Sequence, residues 1–383
     1  MKIIKETSPH LHRKDSLVRM LGDVLIALSP VIVFSYVSYT WLALRNFAIS
    51  LAVCILAEFV YVLIKNRIPY DGNKHSVKEQ FLTGVKKYRV SNLLSSSITA
   101  IIFALVMPVA TDPGWLIYIA LVFGALFGIV IGKLVFGGTG SNIFNPAAVG
   151  MVFAKLCFGS HYLYPTTWFI DTGSAVTAGG TPLGSLAENS YAGVNSFIGQ
   201  YADLSHAPIF DLMLGRVPGV MGEAFKFAIL LGLVYLLIRR AADFRVVASY
   251  LGIYVVLMAI AGAFICTALP NTNFLTFMLF QLFSGGVLFG VTYMLTDPVT
   301  MPINSPGRVM YGLIAGSITV IIRLFGAFPE GVVFSILIAN MLAPVIDYPN
   351  WASQKYSLRK LLWMAGIVLV SVLVVILGLV LAK

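Results

Sequence analysis

The sequence predicts an all-α polytopic membrane protein: two inverted repeats of five transmembrane helices plus one extra C-terminal helix. Three observations predict it. Of 383 residues, 58% are hydrophobic and only 11% charged, against roughly 25% charged in a soluble domain. Apolar runs of near-spanning length recur along the chain, and a helix of about 20 apolar residues crosses some 30 Å of hydrocarbon. Finally, Thr111-Asp112-Pro113 and Thr296-Asp297-Pro298 each follow the third helix of a group of five. An odd number of helices per repeat forces the second copy to be inverted.

Bounded by charges, Pro or Gly, the runs lie near 20–39, 46–64, 93–110, 114–135, 145–159, 222–238, 246–269, 274–295, 307–326, 330–347 and 361–382. The first is full-length, basic-flanked and without a small-x-small cleavage site, so it reads as a span and not a signal peptide. The runs at 145–159 and 330–347 are short, which predicts tilted, broken or re-entrant segments. With the N-terminus inside, inner segments hold 19 of the 26 Lys and Arg, as the positive-inside rule requires. Outer segments hold Arg45, Arg216 and Lys383. Lys133, Lys155, Lys226 and Arg323 remain near helix ends, where snorkelling is the expectation.

The chain therefore divides into four parts. Residues 1–159 form an N-terminal cytoplasmic segment and the first five-helix repeat, and 160–221 an external loop. The second, inverted repeat is 222–347, and 348–383 add a cytoplasmic linker and an extra helix. The loop is polar, rich in Gly, Ser, Thr and Tyr, and a loop this long between spans is usually functional.

Many chemistries are excluded. Cys54, Cys157 and Cys266 stand alone in apolar runs, so there is no disulfide framework, redox CxxC or self-contained iron–sulfur site. GxSxG, P-loop and HExxH motifs are absent. The net charge of +10 has no soluble basic domain to carry it, which points to lipid headgroups and not to nucleic acid.

The repeat predicts one polar site at each face. The inner would combine Asp297 with the Gly-rich Asn142/Asn145 turn, the outer Asp112 with the Phe328–Gly331 turn. Glu58 lies within the second helix, where a carboxylate is costly unless paired or hydrated; it reads either as a carboxylate facing Lys or Arg or as a waypoint on an ion path. In the outer loop, Gly179-Gly180-Thr181-Pro182 presents the Thr181 hydroxyl on a turn, as a modifying enzyme needs. Asp112 and Asp297 precede prolines, so turn formation is their default role.

Taken together, Ser8-Pro9-His10, Gly140-Ser-Asn142-Ile-Phe-Asn145-Pro146-Ala, Thr181-Pro182-Leu183, Thr296-Asp297-Pro298, Gly326-Ala-Phe-Pro329-Glu330-Gly331 and Asn340-Met-Leu-Ala343-Pro344 resemble the RnfD/NqrB membrane flavoproteins. The resemblance covers about residues 8–350, and the short N-terminus is similar to the Rnf D subunit. It implies FMN joined through its phosphate to Thr181 by a flavin transferase, and a second, non-covalent flavin of riboflavin type near Asn142 and Asn145. It also implies partners: an external FMN-bearing G subunit, membrane A and E subunits and cytoplasmic B and C subunits, in a prokaryotic inner membrane. The implied activity is that of a translocase subunit in an Rnf-type ferredoxin:NAD⁺ oxidoreductase coupled to Na⁺ or H⁺ movement, with no NAD or ferredoxin site on this chain. Two other readings stay open: the B subunit of the Na⁺-translocating NADH:quinone reductase, and a flavin-free secondary transporter.

Overall fold

The computed structural model describes residues 17–66, 77–164, 183, 208–215, 219–268, 274–326, 330–348 and 353–381. Helices α1 (Leu17–Tyr39), α2 (Trp41–Lys65), α4 (Val90–Val106), α5 (Leu116–Ile129) and α6 (Pro146–Phe158) match the first five apolar runs, with an amphipathic helix α3 (Val77–Lys87) before α4. After α7 (Pro208–Leu214) and α8 (Met221–Ala224) come α9 (Lys226–Ile238), α10 (Phe244–Ala268), α11 (Phe274–Phe283) and α12 (Val287–Phe289). The chain ends with α13 (Ser305–Phe325), α14 (Val332–Ile346) and α15 (Leu358–Leu381). All eleven predicted runs are helical. The only strands among the described residues, β1 (Ala110–Thr111) and β2 (Tyr162–Leu163), form a two-residue antiparallel ribbon.

Six described helices are long and apolar enough to cross a membrane alone, and two bent pairs raise this to eight. At 1.5 Å per residue, α6, α9 and α14 are about 20–23 Å long. They are short but continuous, so the two short runs are not broken. The break falls instead in 274–295, expected as one helix. There α11 and α12 are bent by 51° at Ser284-Gly285-Gly286, and Gly285 takes φ +65°, a conformation that L side chains rarely adopt. Both α5 and α12 run on into π-helical turns, Val130–Leu134 and Gly290–Leu295.

Hydrogen bonds fix how the helices run. At one end of the bundle Tyr235 and Arg239 near the end of α9 reach Asp23 near the start of α1, at 3.0 and 3.2 Å. At the other end Ser35 and Tyr39 of α1 donate to the Met221 and Gly219 carbonyls, at 3.4 and 3.3 Å. So α1 and α9 are antiparallel. The same test applies to α6 and α14. With its amide oxygen toward α6, Asn340 accepts the Asn145 N–H at 2.9 Å, while Lys155 pairs with Glu330 at 2.9 Å. The two contacts lie at opposite ends of both helices, in reversed order. Antiparallel α6 also separates the two Thr-Asp-Pro turns: Met294, just before Thr296, meets its start, and Asp112 meets His161 just past its end.

Close approach between helices rests on small residues, as expected where lipid offers no hydrophobic drive for association. On α13, Gly312 and Gly316 face α10 so closely that an added Cβ would stand 2.7 Å from the Val246 and Tyr250 carbonyl oxygens. Pro30 inside α1 has no N–H for the Ile26 carbonyl, and the Ser29 hydroxyl donates to that oxygen at 2.7 Å. The bare faces are apolar, among them Leu362, Leu369, Leu373 and Leu377 of α15, which packs on α10 and α13.

Gly316→Leu is expected to destabilise the chain by about 1–3 kcal/mol through overpacking, read as a lower melting temperature in detergent, whereas Gly366→Leu on α15, where nothing lies within 4 Å, leaves it unchanged.

Candidate functional site: a polar pocket at one end of the bundle

The turn between α5 and α6 is built from sequence features already visible. Gly137, Gly138 and Gly140 have φ of +119°, +94° and +90°, which lets the chain reverse within a few residues. Asn145 then caps α6: its Oδ1 accepts the Ala147 and Ala148 N–H groups at 3.1 and 3.2 Å, with Pro146 at the first helical position where its missing N–H costs nothing. The Asn145 amide nitrogen donates to the Met294 carbonyl at 3.2 Å. Its oxygen is fully used and one N–H remains. Asn142 donates to the Phe144 carbonyl at 3.1 Å, and its side-chain oxygen accepts no hydrogen bond from the described residues.

This turn, the Thr296–Val299 segment, the start of α1 and the middle of α4 line an open pocket. Leu21, Val24, Ile98 and Ile102 make much of its wall, with Lys133, Asn142, Asn145 and Asp297 among its polar groups. Asp297 and the Asn142/Asn145 turn, paired from sequence alone, thus line one cavity. The Asp297 carboxylate accepts the Val299 N–H at 3.1 Å, the turn role expected before proline. Burial pushes its carboxyl up to about 6, against the opposing pull of that N–H and of Lys133. A second hollow on the other side of the turn is lined by Asn142, Val299, Asn340 and Asp347.

Glu58 is fully buried and paired. Its Oε2 lies 2.5 Å from the Lys133 ammonium, and its Oε1 accepts from Thr139 at 3.0 Å; Lys133 also donates to Ser95 at 2.9 Å. One ion pair therefore ties α2, α4, the π-turn after α5 and the Gly-rich turn, and places its ammonium on the pocket wall. This corrects the snorkelling expectation. Lys133, Lys226 and Arg323 are 1%, 4% and 1% exposed, held inside because partners are already there. Arg323 donates to the Tyr254 hydroxyl at 2.6 Å and the Gln281 carbonyl at 2.7 Å. The signal was available, since an ionisable residue inside the membrane marks a functional site by default.

Of the outer site expected from sequence, only Asp112, Glu330 and Gly331 lie among the described residues. Asp112 is exposed, its backbone bonded to His161, while Glu330 turns inward to Lys155. Phe328 and Pro329 lie outside the described residues, as does Thr181. Leu183, two residues on, is described and buried with Leu212, Phe277 and Phe280 at the α11 side of the bundle. No group of three or more metal-binding side chains occurs among the described residues.

Removing one member of the Glu58–Lys133 pair strands a buried charge. Glu58→Leu is expected to cost about 3–5 kcal/mol, whereas Glu58→Leu with Lys133→Met restores most of the loss, measured as thermal stability in detergent. For Asp297 the folded carboxyl is raised above its unfolded 3.8 to about 6, so stability is lost as pH rises through that window. Asp297→Asn should melt above the wild type at pH 7 and level with it at pH 3.5.

A family model described as the NQR2, RnfD, RnfE family matches residues 4–354, which spans every element above except α15. The B subunit of the Na(+)-translocating NADH-quinone reductase of Chromohalobacter salexigens is 35% identical over 255 residues, 66% of this chain and 57% of that protein. The D subunit of the ion-translocating oxidoreductase complex of Alcanivorax borkumensis is 29% identical over 365 residues, 91% of this chain and 95% of that protein. The chain thus spans less than two thirds of the former and nearly all of the latter. A match over residues 4–354 places the chain in the NQR2, RnfD, RnfE family, of which it is a member.

Proposed function

We propose that this chain is the D subunit of an Rnf-type ferredoxin:NAD⁺ oxidoreductase, a membrane translocase subunit that carries electrons across the bilayer while Na⁺ or H⁺ moves. The observation that carries the reading is the pocket in which Asp297 meets the Asn142/Asn145 turn, in a chain whose family members include subunits of ion-translocating redox complexes. The near end-to-end alignment with a D subunit favours Rnf; the higher identity to the quinone-reductase B subunit favours that complex as the second reading.

The pocket end faces the cytoplasm in this proposal, because the basic segments gather there by the positive-inside rule. The two halves are inverted copies. In support, α1 opposes α9 and α6 opposes α14, each antiparallel, and a cation near the end of the fourth helix of each half (Lys133, Arg323) meets partners on the second and third: Glu58 with Ser95, and Tyr254 with Gln281.

The lining of the pocket suits a riboflavin-type ring. Its wall is mostly aliphatic with a few polar groups on one side, the usual make-up of a cofactor site, and Asn142 keeps a side-chain oxygen for a ring N–H. Asn145 holds the turn more than it offers contacts. Flavins exchange one or two electrons, which is the chemistry such a group would supply here. The chain's own residues position and insulate it: Leu21, Val24 and Ile102 exclude water, and the Glu58–Lys133 ion pair, nearly neutral as a unit, fixes the polar side of the wall. Thr181 is the proposed FMN acceptor, modified by a flavin transferase and facing the external G subunit. Membrane A and E subunits and cytoplasmic B and C subunits complete the assembly. Glu58 and Asp297 are candidate steps on the ion path, Glu58 only when its ion pair opens.

Two flavin measurements test this. After co-expression with a flavin transferase, the denatured wild-type band should fluoresce in the gel and Thr181→Val should be dark; a dark wild-type band beside an active transferase would sink the covalent assignment. Acid extraction should release non-covalent flavin from wild type and at least tenfold less from Asn142→Leu, and equal release would move the second flavin out of this pocket.

A further inference from the structure

At the opposite end of α6 from the pocket, five charged side chains from five elements converge: Lys155 of α6, Glu223 of α8, Lys226 of α9, Arg323 of α13 and Glu330 before α14. Lys155 and Glu330 form one ion pair. The remaining three gather on the broken helix. Where α11 stops, its last carbonyls lose their helical partners, and no water reaches them in hydrocarbon. Arg323 covers the Gln281 carbonyl at 2.7 Å and the Ser284 carbonyl at 3.4 Å. Lys226 donates to the Gly285 carbonyl at 3.3 Å and, more closely, to the Glu223 carbonyl.

Lys226 is in an unusual place. It is the first residue of α9, where the helix dipole disfavours a cation, so α9 gives no reason for an ammonium there. The reason is the break: the C-terminal end of a half-helix carries partial negative charge, and unwound carbonyls of this kind are what discontinuous membrane helices use to hold Na⁺. Three further oxygens are at hand. The Glu223 carboxylate packs so closely that Oε1 lies 2.6 Å from where a Cβ on Gly286 would stand. The Ser284 hydroxyl is buried and has no hydrogen-bond partner among the described residues. Glu223 also offers its backbone carbonyl, now bonded to Lys226.

We propose that the Gly285 carbonyl, the Glu223 carbonyl and carboxylate and the Ser284 hydroxyl form a monovalent-cation site, and that the Lys226 ammonium is a tethered stand-in which the translocated cation displaces. The inference rests on the reading of this chain as an ion-translocating subunit and adds where, away from the pocket, its cation is held. Exchanging one single positive charge for another keeps Glu223 compensated throughout, so no bare carboxylate is left in low dielectric. Among the charges around it, Glu223 attracts the ammonium most strongly, Arg323 on the same half-helix end repels it, and Glu330 attracts it more weakly.

The test uses the purified full-length chain with sodium as the probe. Melting temperature is followed in NaCl against choline chloride at equal ionic strength, for wild type, Lys226→Met and Lys226→Met with Glu223→Gln. Removing the tether should leave the oxygens to sodium: half-maximal stabilisation in Lys226→Met should come at a sodium concentration at least tenfold below that of wild type. The added Glu223→Gln should abolish the gain. Equal sodium dependence in wild type and Lys226→Met overturns the proposal. Should Lys226→Met fail to fold, Glu223→Gln alone, isosteric and with the tether in place, decides the matter in the assembled complex. Its half-saturating sodium for redox-driven uptake into vesicles should rise at least tenfold, and an unchanged value overturns the site. Wild-type vesicles that take up no cation at all would overturn the translocation reading itself, an outcome separate from either comparison.

Discussion

Inside a bilayer every backbone N–H and C=O must find a partner within the protein, because hydrocarbon offers none. This chain interrupts its helices inside the bundle, and most of its unusual residues follow from that. The turn ahead of α6 is closed by Asn145, which caps two amides and ties to Met294 across the bundle. The break between α11 and α12 is covered by Arg323 and Lys226. Each repair brings a polar or charged side chain into a dry interior, and each such side chain then needs its own compensation. Interrupted helices thus create the polar places where a membrane carrier can do chemistry.

The two ends of the bundle answer this constraint differently. Near the pocket, Lys133 is matched one-to-one by Glu58, so the ion pair is close to neutral and acts as a strut between four segments. At the far end, Arg323 is met by neutral oxygens, from Tyr254 and the end of α11. Buried cations thus occur at both ends, with different compensation at each. The pocket end carries an aliphatic wall beside a neutralised ion pair, and the far end carries cations against carbonyl oxygens.

Much of this was legible in the sequence. The eleven helices could be read from hydropathy because lipid-facing and core-facing residues are both apolar, so a span is a composition signal and needs no periodicity. The pairing of Asp297 with the Asn142/Asn145 turn followed from inverting a five-helix repeat. The break in 274–295 was harder to see: Gly285 and Gly286 are also what tight helix packing uses, and only backbone geometry separates the two. Lys133, Lys226 and Arg323 were visible as cations that fit neither face, yet a long side chain near a helix end can reach water or turn inward, and its partners decide. Glu58 found Lys133 across 75 residues of sequence, a contact that no local pattern announces. Asp112 was read by analogy with Asp297, and its expected partners Phe328 and Pro329 lie outside the described residues.

The last helix runs the length of the bundle. Its first turn follows Gln354, which bonds to Ser305 at the pocket end, and near its other end Gly378 lies against Phe325 on the far side. The family match stops at residue 354, so α15 lies outside the part of the chain that the family model covers. It packs on α10 and α13 and contributes no residue to the pocket lining, so its outer face can change sequence freely, as long as it stays apolar, without touching the polar groups that the rest of the bundle holds in place.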